Sequence, residues 1–460
     1  MLFAHLATRR PERALLRRQL SVTATGTALL LGATVGCTTS DADDERRAGV
    51  APSTSRTTTA DREPTRTTPA SPESSPTRKA PMDLSPADQA ELDRRLIAAA
   101  WDDDVTRARS LITRGADVNA QDDTQQSAFL IATSEGYLEL LELTLHHGAL
   151  VNSKDSFNGT GLIRAAERGH WDISGRLIQA GVDIDHVNNL GWTALHEAVI
   201  LGDGDSDALD TVRVLVAAGA DVDVPAERDG LTAYEHARSL GYEEIADLLQ
   251  RAGQVAPGRP GAVSSAADRR LLQAAAAGDS DAAALALRAG ADIGARNELQ
   301  QTPLLLASAR DKVGVARVLV ALGADPDALD YRHDTPWLVT GVTGSVAMLE
   351  VLLPAHPDLT IRNRYGGISV IPASERGHVA YVRRVVRTDI DVNHVNDLGW
   401  TALLEAVILG DGSKPYQEIV RILLDAGADQ SIADSDGVSA LEHAESSRQV
   451  AVARILRQAD

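Results

Sequence analysis

The sequence predicts an all-α solenoid made of two tandem arrays of short helical repeats. Three observations carry that expectation. In a chain of 460 residues, hydrophobic residues make up 43% and aromatic ones only 3%, a balance suited to close helix-on-helix packing rather than to an aromatic-rich sandwich or barrel. The segment Asp185 to Gly204 (DHVNNLGWTALHEAVILGDG) returns as Asn393 to Gly412 (NHVNDLGWTALLEAVILGDG), and Ala165 to His170 returns as Ala373 to His378, both at an offset of 208 residues. Within each copy a shorter period of about 33 residues is visible in the turns that open at Gly115, Gly148, Gly181 and Gly219.

The first element, residues 1–36, has the layout of an export signal. Arg9, Arg10, Arg13, Arg17 and Arg18 precede a weakly apolar run from Leu20 to Val35, and small residues lead to Cys37. The run Ala28 to Cys37 resembles a bacterial lipoprotein box, with Thr34 where leucine is usual. That resemblance implies acylation of Cys37 as the mature N-terminus. Arg17-Arg18-Gln19-Leu20 also resembles a twin-arginine signal, so the export route stays open. The apolar run is too short and too broken to span a bilayer, and the expected membrane attachment is by lipid alone. Cys37 is the single cysteine, which excludes an internal disulfide and a Cys-based zinc site.

Residues 37–82 are rich in Ser, Thr, Pro and Asp and have little to bury, so they read as a disordered tether. About 45 residues of such chain reach roughly 35–40 Å on average. The formal net charge is −20. Loss of residues 1–36 removes five arginines and one glutamate, taking −20 to −24. A negative potential of that size repels nucleic acid, so nucleic acid is not an expected partner.

The repeats occupy 83–253 and 266–460, with five units expected over 92–253 and six over 266–460. Thr193, Thr302 and Thr335 can cap the first amides of a helix, Pro303 and Pro336 sit where a missing N–H costs little, and Gly169 or Gly202 ends the helix. A second apolar-periodic helix follows, as in Val212 to Val216 or Ile419 to Leu424. With Thr193-Ala-Leu-His196, Thr302-Pro-Leu-Leu305, Thr335-Pro336, Gly169-His170 and Gly377-His378 in phase, the chain from about Leu92 to Asp460 resembles the ankyrin-repeat family. The resemblance implies stacked helical hairpins that bind a protein or peptide in a concave groove, with no catalytic residue and no cofactor. Two departures stand out: Pro372 falls inside a first helix, and Asp311-Lys312 replaces Gly-His, so these units are expected to be looser. The linker 254–265, with Pro257, Gly258, Pro260 and Gly261, is expected to act as a hinge between two separate bodies.

Chemistry-bearing patterns are sparse. His196-Glu197 opens like a zinc-protease helix, but Ile200 stands where the second histidine is required; the ankyrin resemblance implies instead that His196 bonds between turns. His146-His147 closes a second helix, where a cation can face the helix C-terminus. Asp203 to Asp207 is spaced like the opening of a calcium loop, yet Ala208 and Val214 occupy the sixth and twelfth places. No metal site is expected. Glu167-Arg168 and Glu375-Arg376 close matching first helices and read as solvated groove charges.

The candidate partner-binding residues come from the duplicated unit. Leu190 and Trp192, with Leu398 and Trp400, lie at its turn; Ile200 and Leu201, with Ile408 and Leu409, end its first helix. By the ankyrin pattern these positions face the hairpin tips and the groove, where large apolar groups form a patch with a tryptophan anchor. Packing of each tryptophan on neighbouring hairpins is the alternative. The expected function is thus a non-catalytic, monomeric binding or scaffold protein on the extracytoplasmic side of a bacterial membrane. A hydrolase using groove carboxylates and a passive cell-envelope spacer are the rivals, the former needing clustered acids with raised pKa values in one pocket.

Overall fold

The computed structural model describes residues 84–258 and 264–459; the expected signal, Cys37, the whole of the tether and residues 259–263 of the linker lie outside the described residues. Five helix pairs form the first array: α1 Pro86–Trp101 and α2 Val105–Thr113, α3 Ala128–Glu135 and α4 Leu138–His146, α5 Gly161–Glu167 and α6 Trp171–Gln179, α7 Ala194–Ile200 and α8 Ser206–Ala217, α9 Ala233–Leu240 and α10 Glu243–Ala252. Six pairs form the second: α11 Ser265–Ala277 and α12 Ser280–Arg288, α13 Pro303–Ala309 and α14 Val313–Ala321, α15 Leu338–Thr343 and α16 Val346–Leu352, α17 Val370–Glu375 and α18 Val379–Val385, α19 Ala402–Ile408 and α20 Lys414–Asp425, α21 Ala440–Ser446 and α22 Val450–Gln458. Among the described residues no helix is long and apolar enough to cross a membrane.

The expected caps are in place. Thr193, Thr302 and Thr401 accept from the amides of His196, Leu305 and Leu404, satisfying donors that the first helical turn leaves free. Thr335 accepts from Leu338 N at 3.0 Å, and its helix begins only there, after Pro336 and Trp337. Most hairpins ahead of a first helix are closed by one Asx side chain, whereas Ala226 stands at that place in the hairpin before α9, which backbone bonds close. Asn188 Oδ1 accepts from the amides of Leu190 and Trp192, at 2.9 and 3.1 Å. Asp155, Asn363 and Asn396 close their hairpins in the same way. Consecutive units are tied by side chains of the preceding turn: Asn119 accepts from Leu150 N, Asn152 from Asp183 N, and Asn393 from Asp429 N, at 2.7–2.8 Å.

No unit buries its two helices alone. First helices pack on first helices and second on second, giving one continuous core per array. Pro372 does not break its helix. Helix α17 starts at Val370, so the proline occupies the third helical position, where its absent N–H would have had no carbonyl partner in the helix. At Asp311 a non-glycine residue takes the left-handed turn that Gly169 and Gly377 take elsewhere, with φ of 53°.

The expected hinge between separate bodies needs correction. The row of first helices breaks between α9 and α11, but the second helices of the two arrays pack on each other: α12 on α8 and α10, and α14 on α6 and α8. Ala217, Ala284 and Val318 form a buried apolar cluster across the junction. Gly175 lies so close to α14 that a Cβ there would come within 2.3 Å of Ala321 O, and Gln179 donates to that same oxygen at 2.7 Å. Arg288, only 5% exposed, donates to the carbonyls of Ala220, Ala252 and Val255 at 2.7–3.2 Å. Asp210 and Asp281 add ion pairs with Arg213, Arg251 and Arg317. Proline and glycine in the linker end the helical row, and small residues on α6, α8, α12 and α14 then let the arrays dock back to back.

Candidate functional site

In the duplicated hairpin the turn Asx does more than close the loop. Asn188 Nδ2 donates to Glu197 Oε1 at 2.7 Å, and Asn396 Nδ2 donates to Glu405 Oε1 at 2.9 Å. The two glutamates, 3% and 5% exposed, therefore bolt each hairpin to its first helix. Burial, reinforced by nearby Glu167, pushes the Glu197 carboxyl up to about 7; burial, reinforced by Glu375, does the same to Glu405. From sequence Glu197 was weighed only within a zinc-protease pattern, and Glu405 was missed. The signal available was the repeated spacing of an asparagine nine residues before a glutamate at the same place in both arrays.

The surroundings of the two glutamates differ. In the first array Arg164 enters the site from α5, lying 2.8 Å from Glu167 and 3.5 Å from Asp155. Glu167 is thus a half-buried, ion-paired group and not the solvated charge expected, while Arg168 turns away to Glu135 at 2.8 Å. In the second array Pro372 stands where Arg164 stands, and Asn363 where Asp155 stands. A cavity of about 440 Å³ opens there, within the range of small-molecule and side-chain sites. Its walls come from the hairpins and first helices of three successive units, and Glu375, Glu405 and Asn396 line it.

Four large apolar residues ring this cavity: Val342, Tyr365, Leu398 and Leu409, with exposures of 38%, 55%, 53% and 49%. Leu398 and Leu409 are two of the eight candidates from sequence. Trp400 and Ile408 are half-buried and pack on the second core. In the first array Leu190, Trp192, Ile200 and Leu201 are all half-buried, and the indole N–H of Trp192 is buried with no hydrogen-bond partner. The structure therefore gathers exposed apolar surface beside the second-array cavity, and Val342 and Tyr365 were missed because neither belongs to the duplicated Leu-Gly-Trp unit.

The other flagged patterns have local structural places. His196 bridges its own cap, Nδ1 to Thr193 Oγ1 at 2.9 Å, and the next hairpin, Nε2 to Leu231 O at 3.3 Å. Asp205 caps α8 by accepting from Asp207 and Ala208. His147 follows the last turn of α4 and packs edge-on against His146.

Comparison with known proteins bears on what this frame is. Ankyrin repeats in sets of three match residues 96–188, 129–226, 162–256, 339–434 and 370–460, and a single ankyrin repeat matches 300–331. The chain belongs to the ankyrin-repeat family. The ankyrin repeat protein YahD of Escherichia coli (strain K12) is 36% identical over 172 residues, 37% of this chain and 86% of that protein. Human ankyrin repeat and SOCS box protein 6 is 32% identical over 135 residues, 28% of this chain and only 32% of the human protein. An ankyrin repeat domain from Acinetobacter baumannii AYE shares 42% identity, covering 41% of this chain and 96% of the domain, with a TM-score of 0.40. Ankyrin repeats present extended surfaces for protein partners, and protein–protein interaction is the activity this membership supports.

Proposed function

We propose that this ankyrin-repeat protein is a non-catalytic binding protein that holds a protein or peptide in the groove of its second array, on the outer side of a bacterial membrane. The observation that carries this reading is the apolar ring of Val342, Tyr365, Leu398 and Leu409 around a cavity with a polar floor. Clustered exposed apolar groups beside buried polar ones are the make-up of a binding hot spot. Export and anchoring rest on the signal-like residues 1–36 and on Cys37, and the chain acts as a monomer.

Hydrolysis by groove carboxylates has one observation in its favour, the raised carboxyl of Glu405 beside Glu375. The same raised carboxyl occurs at Glu197, where Arg164 lies beside Glu167. In both arrays the glutamate carries the same hydrogen bond to the hairpin asparagine. A strut explains both copies, and a catalytic acid explains only one.

The test is capture from cell-envelope extract by the full chain and by a Leu398→Asp, Leu409→Asp variant, read by mass spectrometry. A partner held by the former and lost by the latter is expected. Capture that both chains share equally sinks the groove reading. For the anchor, Cys37→Ala protein is expected to leave the membrane fraction, and sedimentation like that of the unaltered chain excludes it.

A further inference from the structure

We propose that the second-array cavity is an arginine socket: it receives the guanidinium of an arginine side chain projecting from the bound partner, in the place that Arg164 fills in the first array. This rests on the groove-binding reading above and adds the chemistry of the partner.

The molecule contains its own template. At an offset of 208 residues, Glu167 corresponds to Glu375, Asn188 to Asn396, Glu197 to Glu405 and Arg164 to Pro372. In the first array the guanidinium of Arg164 lies against the Glu167 carboxylate at 2.8 Å and closes the site. In the second array Glu375, Asn396 and Glu405 persist, Asn363 replaces Asp155, the internal cation is gone, and about 440 Å³ of open space replaces it. Glu405 is 5% exposed, Asn396 holds one of its oxygens, and the other receives no hydrogen bond among the described residues. An incoming guanidinium supplies that oxygen with donors in a planar fork that fits carboxylates.

The rim supports the same occupant. An arginine side chain has an aliphatic stem, and Val342, Tyr365, Leu398 and Leu409 offer apolar surface along the path to the floor. Charges around the cavity are segregated by depth. Arg332 and Arg364 lie 3.8 and 3.6 Å from Asp334, and with Arg376 they are exposed, whereas Glu405 is buried and Glu375 half-buried. Exposed cations are screened by solvent, while carboxylates on the floor act at lower dielectric. The acidic character of the whole chain favours the approach of a basic partner.

The experiment titrates the full chain with a fluorescent, acetylated alanine peptide carrying one central arginine, and with the same peptide carrying citrulline, the neutral analogue. Anisotropy is expected to report saturable binding of the arginine peptide and roughly tenfold or greater weakening for citrulline. Pro372→Arg restores the first-array residue and is expected to abolish binding by filling the socket. Glu405→Gln, which keeps the hydrogen bond from Asn396, is expected to weaken binding by about tenfold or more. Equal binding of the two peptides, no binding of either, or unchanged binding by both variants overturns the socket. A partner captured from envelope extract that is lost on Leu398→Asp, Leu409→Asp yet retained on Pro372→Arg also overturns it, while leaving the groove reading intact.

Discussion

Asn188 and Glu197, nine residues apart, are joined by a 2.7 Å hydrogen bond from the amide of the first to the buried carboxyl of the second, and Asn396 and Glu405 repeat the bond at 2.9 Å. A carboxyl pushed up to about 7 by burial is charged at neutral pH only at a cost to the fold. The native state therefore holds more protons than the unfolded state between pH of about 4.5 and 7, and stability falls as pH rises through that window. A shift from 4.5 to about 7 corresponds to at most about 3 kcal/mol per group. Denaturant midpoints at pH 5 and pH 8 are expected to differ less in a Glu197→Gln, Glu405→Gln protein than in the unaltered chain. An identical drop in both chains contradicts the assignment.

A second prediction concerns the docking of the arrays. Gly175 lies against Ala321, where any side chain meets a carbonyl oxygen. Gly175→Leu is expected to cost about 1–3 kcal/mol and to increase the radius of gyration in small-angle scattering. Gly294, exposed and with only Asp292 Oδ1 near a built Cβ, at 3.5 Å, serves as the control, since Gly294→Ala should change neither quantity. A compact Gly175→Leu protein would falsify back-to-back packing.

A third prediction separates the tryptophans from the leucines. Trp400 is half-buried on the second core, so Trp400→Ala is expected to lower stability by roughly 2–4 kcal/mol. Leu398, exposed at 53%, should tolerate Leu398→Ala within about 0.5 kcal/mol while losing partner capture. Thermal melts and capture on the same two proteins distinguish the roles, and a reversed pattern places the anchor on the tryptophan.

Much of this architecture is legible in the chain. The cap threonines, the turn asparagines and the glycines act on their own backbone, so local spacing reveals them, and the offset of 208 residues exposes the duplication. The docking of the arrays was not legible. Proline and glycine at 257–261 announce a break in the helical row, whereas the contact is made by Gly175, Ala217, Ala284 and Ala321, whose small side chains have no periodic signature of their own. The cavity was hidden for a related reason. Pro372 was read for its effect on the helix, but its consequence is the side chain it replaces, which emerges only once Arg164 is seen paired with Glu167.

The claim that the second-array groove is where this protein meets its partner is tested most directly by site-specific photo-crosslinking in the cells that make it. A photoreactive residue replaces Leu398 at the groove rim in one strain and Val450, 67% exposed on the second helix α22, in another. The account predicts one discrete crosslinked product from position 398 and none from 450. Equal products from both positions, or a product from 450 alone, would contradict it.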